Sequence, residues 1–359
     1  MLTLATRKGV VIWSRTADGW RLVRDAHRGV NVMYAWRDVR SGTTWAALDH
    51  GHWGAKLSRS RDDGATWEEV AAPQYPEGEV FWHGYGDDRQ PRPATNQGTW
   101  VMCAGGRPGE LFAGTFPGGL FRSRDDGGSW ELVRGLWDHP SRKDWFGGGK
   151  DVPGLHSIVV DPRDPAHLFV GISCGGVFES TDDGASWAPR NRGLRADFLP
   201  DDTVEVGHDP HHVLAVPGHP DVLWQQNHCG VFRSVDGGAS WQETGRPEGV
   251  PHFGFPVAVG EDPDTAWVVP AQADDYRLVV GGALQVHRTR DGGTSWEPLG
   301  IGLPQEHCYD LVYRHAFVRH GSTMVMGTTT GNLYVSEDEG TTWEQLSAWL
   351  APIHAVHLS

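Results

Sequence analysis

No run of apolar residues in this 359-residue chain approaches the ~20 needed to cross a bilayer as a helix. No basic segment followed by an apolar stretch precedes the first predicted strand, Leu2–Thr6. The expectation is a cytoplasmic protein that neither spans nor binds a membrane. Cysteine is scarce: Cys103, Cys174, Cys229 and Cys308 fall in four different repeat units without a framework spacing, so reduced thiols are expected. Positive charge is deficient, with 31 Lys and Arg against 46 Asp and Glu and a net charge of −15. Nucleic acid and anionic lipid both demand a basic surface that displaces counterions, and both are excluded as partners. A phosphate-cradling loop is missing too, because Gly147-Gly148-Gly149 lacks the Lys-Ser/Thr pair and the helix start that such a loop needs.

Glycine and tryptophan are abundant instead, at 48 and 18 residues. Much of both belongs to one motif that occurs six times, beginning with Ser60-Arg61-Asp62-Asp63-Gly64-Ala65-Thr66-Trp67 and again at Ser123, Ser180, Ser234, Thr289 and Ser336. All six follow S/T-x-D-x-G-x-T/S-W. The composition suits a tight hairpin turn: the carboxylate and hydroxyls tie the backbone, glycine supplies a positive φ, and tryptophan packs between neighbouring sheets. The motif is therefore a folding device and carries no catalytic signal of its own.

Successive copies stand 63, 57, 54, 55 and 47 residues apart, enough for a four-stranded sheet with variable loops. A shortened seventh copy, Ser14 to Trp20, lies 46 residues before the first full one. Ahead of the Ser180 copy the chain shows strand, turn and strand at residues 168–173, 174–176 and 177–179. The N-terminus repeats that shape at residues 2–6, 7–9 and 10–13 with no strand before it. The missing innermost strand is supplied by residues 352–358, which match residues 155–158. The expected fold is all-β: a seven-bladed β-propeller in one domain over 1–359, its ring closed by N- and C-terminal strands in one blade.

On these six motifs the chain resembles the Asp-box (BNR-repeat) propellers. That resemblance covers nearly the whole chain and implies fold far more than function. Asp-box sialidases are six-bladed and carry a Phe/Tyr-Arg-Ile-Pro segment, an arginine triad and a Tyr–Glu pair. Seven blades and the lack of that segment argue against a sialidase. The blade count is shared with photosystem-assembly-factor-like, sortilin-like and xyloglucanase-like propellers. Other Asp-box glycosidases need two carboxylates at a set separation.

Chemistry is expected on one face, where the innermost strands begin and the second-to-third-strand turns return. Histidine is concentrated there. His208-Asp209-Pro210-His211-His212 brings three imidazoles and a carboxylate within five residues, with His228 and Cys229 in the turn of the same blade and His156 on the innermost strand of the adjacent blade. His156, His211, His212 and His228, with His208 and Asp209 beside them, are the candidate ligands of a divalent transition metal: zinc, iron, manganese or copper. Asp197, Asp201, Asp310, Tyr309 and His252 are candidate catalytic groups on the same face, and Asp49, Asp274, Lys150 and Arg277 are further charged candidates there. The functional expectation is a hydrolase-like enzyme or binder whose His/Asp-rich funnel takes a small polar molecule or glycan. The alternative is a non-catalytic scaffold whose faces bind proteins and which needs no imidazole cluster.

Overall fold

Each of the six repeated turns is closed by the same small set of hydrogen bonds. In the copy after Ser123, Asp125 Oδ1 accepts from Ser123 Oγ and from Ser129 N, both at 2.8 Å, and Oδ2 accepts from Ser129 Oγ at 2.7 Å. Ser123 Oγ in turn accepts from Gly127 N at 2.8 Å. The residue after each aspartate is left-handed: Asp63, Asp126, Asp183 and Glu339 have φ of 56° to 63°, and glycine takes the place at 237 and 292. The turn glycine is required for a second reason, since a Cβ at Gly127 would lie 2.3 Å from Cη2 of Trp45 in the preceding blade. Local turn chemistry thereby sets the spacing between sheets.

These turns connect the third and fourth strands in six of seven four-stranded antiparallel sheets, blade one having the shortened turn at Thr16–Gly19, and the seven sheets form a seven-bladed β-propeller. The computed structural model describes all residues except 85, 149, 203, 245–251, 274 and 275; Asp274 therefore lies outside the described residues. We letter the strands of each blade A to D from the channel outward. Strand A is Asn31–Asp38 in blade two, Gly98–Ala104 in three, Leu155–Val160 in four, Pro210–Val216 in five, Gly254–Val259 in six and Phe317–His320 in seven. Blade one is composite, as expected. Its strand A, Ile353–Leu358, pairs antiparallel with strand B, Leu2–Thr6, in the register Leu2 with Leu358 and Leu4 with Val356. Ser359 N donates to Met1 O at 2.9 Å, so the two ends of the chain are adjacent.

The core lies between sheets. Leu2, Leu4 and Ile353 pack with Met324, Leu333 and Val335 where blade one meets blade seven, and Ala5, Ile12 and Ala355 pack with Val32 and Ala46 where it meets blade two. No helix among the described residues is long and apolar enough to cross a membrane. All four cysteines are free thiols.

Strand A is irregular in a repeated way. Pairing with strand B skips one residue at His354 in blade one, Met33 in two, Trp100 in three, His156 in four and His211 in five, and one residue within 255–256 in blade six. A bulge of this kind frees a residue from the ladder and re-aims its side chain. Five of these positions, His354, Met33, Trp100, His211 and Phe255, line a single cavity at the channel mouth.

The turns give a direct prediction. Their hydrogen bonds hold Asp62, Asp125 and Asp291 at a pKa of about 2, with the adjacent Ser or Thr as the main cause, and lower Asp182 as well. A carboxylate depressed in this way stabilises the fold above its unfolded pKa, ~3.9, and the contribution is lost as pH falls through the native value. The melting temperature should therefore drop steeply between about pH 4 and pH 2. Asp125→Ala, at an exposed turn, should cost about 1 kcal/mol at neutral pH. Trp241→Ala, which removes a ring only 3% exposed whose Nε1 donates to Arg190 O at 2.8 Å, should cost about 3–5 kcal/mol. Equal melting temperatures for wild type and Trp241→Ala would contradict this.

Candidate functional site

The cavity at the channel mouth has a volume of about 480 Å³ and receives residues from all seven blades or the loops that enter them. Its walls are aromatic, from Trp100, Phe146, Phe198, Phe253, Phe255 and Tyr313, and its charged groups are Asp49, Lys150, Asp209, Arg277 and Arg314. The floor comes from an unexpected source. Residues 313–315, in the loop entering blade seven, reach across the axis: Arg314 Nε donates to His211 O at 2.7 Å, and His315 Nε2 donates to His156 O at 2.7 Å. This crossing divides the channel. A second cavity of about 560 Å³ lies on the far side, lined by His212, Tyr34, Arg319 and His357, and His315 borders both.

Asp209, His211 and His228 form the polar centre of the upper cavity, with one ligand atom from each lying within 4.8 Å of the others. Asp209 is fixed first. Its Oδ1 accepts from Ser173 Oγ at 2.9 Å and from Cys174 N at 3.1 Å. Burial pushes its carboxyl up, but His211, His228 and the Ser173 hydroxyl outweigh burial and hold it well below the usual carboxylate range. His211 is the bulged residue of strand A in blade five and stacks on Phe255, with ring centroids 4.7 Å apart. Its Nδ1 lies 2.6 Å from Gly254 O, and a carbonyl only accepts, so Nδ1 carries a hydrogen. Nε2 then faces Asp209 Oδ2 at 3.3 Å, and His228 Nδ1 faces the same oxygen at 3.6 Å. The ring of His228 is held edge-on between Phe198 and Phe253. Gly148 closes the other side, where a Cβ would lie 3.2 Å from Asp209 Oδ2 and 2.5 Å from Cys174 Sγ.

The remaining sequence-predicted residues are placed differently. His156 is fully buried below the mouth, its Nδ1 on Ser157 Oγ at 2.9 Å, and burial followed by the Arg314 charge holds its pKa well below the ordinary value. The expected convergence of four histidines is corrected at His212. Strand A descends into the channel, so His212 lies deeper than His211, edge-on to His315 with centroids 5.5 Å apart, and lines the lower cavity. His208 turns away and binds Val204 O through Nε2 at 2.6 Å, fixing its own loop. Asp197 and Asp201 are exposed on the loop that sends Phe198 into the cavity, and Asp197 is 3.6 Å from Arg195. His252 does not line the cavity, and its carbonyl accepts from Gln226 Nε2 at 2.8 Å.

Tyr309 and Asp310 were expected where strand A of blade seven begins. That strand begins at Phe317, because residues 311–316 run into the channel as irregular chain. Tyr309 and Asp310 instead line a separate depression, where Asp310 is buried and accepts from Asn332 Nδ2 at 3.1 Å and from Thr330 Oγ1. Asp49, Lys150 and Arg277 do line the upper cavity. Sequence reasoning missed Arg314, His315 and the aromatic walls. A signal was present: Arg314 stands 22 residues before Ser336, much as His211 stands 23 before Ser234 and His156 stands 24 before Ser180.

Fold and cavity together define a seven-bladed β-propeller with a ligand-sized pocket at one end of its channel. No model of a known protein family matches the chain. It is 27% identical over 210 residues to the oligoxyloglucan-reducing end-specific xyloglucanase of Emericella nidulans, a match that covers 56% of this chain and 24% of that protein. The chain thus spans about a quarter of the length of the curated relatives it matches. Among solved structures it is similar to an ancestral GH74 enzyme, with a TM-score of 0.59, 17% identity, and coverage of 89% of this chain and 38% of that one. It is also similar to YCF48 bound to D1 peptide, with a TM-score of 0.54, 14% identity, and coverage of 92% and 90%. The two structural likenesses show the propeller fold.

Proposed function

We propose that this chain is a hydrolase-like propeller, one domain over residues 1–359, that takes a small polar molecule or sugar into the upper cavity and holds a divalent transition metal on Asp209, His211 and His228. The contact at His211 carries the reading. Nδ1 donates to a backbone carbonyl, which leaves Nε2 facing a carboxylate oxygen 3.3 Å away. A cation shared by Nε2 and that oxygen would bridge the two groups, and two imidazoles with one carboxylate are a donor set for zinc, iron or manganese. The surroundings fit as well: the second nitrogen of His211 donates to a backbone carbonyl, and the second oxygen of Asp209 is held by a hydroxyl and an amide, as outer partners of metal ligands are. An ion bound there would act as a Lewis acid toward water or a carbonyl group.

The aromatic walls supply flat faces for a sugar ring or similar body, and the likeness to a xyloglucanase supports a glycan-sized ligand. A protein-binding scaffold would need no buried carboxylate–imidazole cluster, and the enzyme or binder reading is preferred on that ground. The free thiols support a cytoplasmic setting, and the net charge of −15 argues against nucleic acid as a partner. Calorimetric titration of chelator-treated protein with zinc or manganese tests the proposal. About one ion per chain should bind to wild type, and none to the His211→Ala, His228→Ala double variant. Equal uptake by both proteins would remove the metal from this cluster. No uptake by either would make His211 a doubly protonated partner of Asp209, an acid–base pair in place of a metal centre.

A further inference from the structure

Arg314 is a charged residue on the floor of the upper cavity. It is only 8% exposed, and Asp209 is the main opposing charge it feels, yet no carboxylate stands within ion-pair distance of it among the described residues. Nε is occupied by His211 O at 2.7 Å, while neither terminal nitrogen makes a hydrogen bond to the protein. Those two nitrogens are also absent from the fully enclosed orphan atoms, and the residue lines the upper cavity, so they face its open space. The guanidinium is held in place, 4.3 Å from the Trp100 ring centroid and 5.7 Å from that of Phe255. Burial lowers its pKa from the usual 12.5 to about 10, which leaves it charged at neutral pH. A buried, rigid and unpaired guanidinium is unfavourable unless something pairs with it.

We infer that the upper cavity binds a small carboxylic acid, whose carboxylate accepts two parallel hydrogen bonds from the terminal nitrogens of Arg314. The planar fork of arginine matches a carboxylate in this bidentate way. The charges of the cavity favour a single negative charge on the ligand. Lys150, Arg277 and Arg314 stand against Asp49 and Asp209, and both carboxylates already have partners: Asn31 Nδ2 and Gly51 N for Asp49, the Ser173, His211 and His228 groups for Asp209. Lys150 and Arg277 sit at the exposed rim and attract an anion inward, while Arg314 fixes its position on the floor. Because Arg314 is bonded to the backbone of His211, a carboxylate seated there lies beside the Asp209, His211 and His228 centre. The inference rests on the proposal that this cavity is the functional site, and not on a metal being bound.

Benzoate and its neutral isostere benzamide probe the anchor, since both fit a cavity of about 480 Å³ with aromatic walls. Calorimetry on chelator-treated wild type should show benzoate binding about tenfold or more tightly than benzamide. Arg314→Met, checked for folding by circular dichroism, should remove the preference, and Arg314→Lys should restore part of it. Equal affinity of benzoate and benzamide for wild type would overturn the inference without recourse to any variant. Inorganic phosphate binding more tightly than benzoate would overturn the carboxylate assignment in favour of a phosphate ligand. Metal titration of the same wild-type protein keeps the two readings apart: absence of the preference in protein that takes up metal sinks the anion anchor alone, and a preference in protein that takes up none leaves the anchor standing.

Discussion

Removing residues 352–359 should leave no soluble, cooperatively melting protein. The deleted strand supplies the whole inner edge of blade one, pairing with Leu2–Thr6 along its length and burying Ile353, Ala355 and Val356. Loss of a buried isoleucine side chain alone costs about 2–5 kcal/mol, against a total domain stability of about 5–15 kcal/mol. The deletion also opens the ring and exposes two unpaired strand edges. The counterpart is a circular permutant that joins residue 359 to residue 1 and opens the chain in the exposed turn between Gly218 and His219. Because Met1 and Ser359 are already hydrogen-bonded, that permutant should melt within a few degrees of wild type. Survival of the deletion variant with an unchanged melting temperature would contradict the closure described here.

Asp209→Ala should have the second largest effect, on stability and on ligand chemistry together. Asp209 is 6% exposed, accepts from Ser173 Oγ and Cys174 N through one oxygen, and faces His211 and His228 with the other. Removing the shared member of a buried charged network costs about 3–5 kcal/mol, because the partners are left unsatisfied. Asp209→Asn keeps an acceptor for the Cys174 amide and should recover part of that loss while still failing to hold a metal. The sign with pH follows from the lowered pKa of Asp209: its contribution is present above the unfolded carboxylate value and disappears as pH falls toward the native one. A melting temperature unchanged in Asp209→Ala would show that the network is not built as described.

The blade count and the terminal closure were legible because the turns repeat as local chemistry and because residues 352–358 match the inner strand of another blade. The pairing of Asp209 with His211 and His228 was legible in part, since all three sit where strand A begins or where strand B turns into strand C. What was not legible depends on register and on loop path. The separation of His211 from His212 requires knowing that strand A is bulged at His211 and that His315 occupies the axis beside His212. The reach of Arg314 and His315 from blade seven to blades five and four is made by irregular chain, for which hydrophobic periodicity gives no sign. Tyr309 and Asp310 were misplaced for the same reason: the entry to blade seven is longer than a hairpin spacing suggests, and its buried part lies downstream of them.

Anomalous diffraction from crystals of the protein purified without an affinity tag tests whether Asp209, His211 and His228 hold a metal. One metal peak is expected, with His211 Nε2, His228 Nδ1 and Asp209 Oδ2 about 2.0–2.2 Å from it. A peak elsewhere, or none in crystals soaked with millimolar zinc, would contradict it.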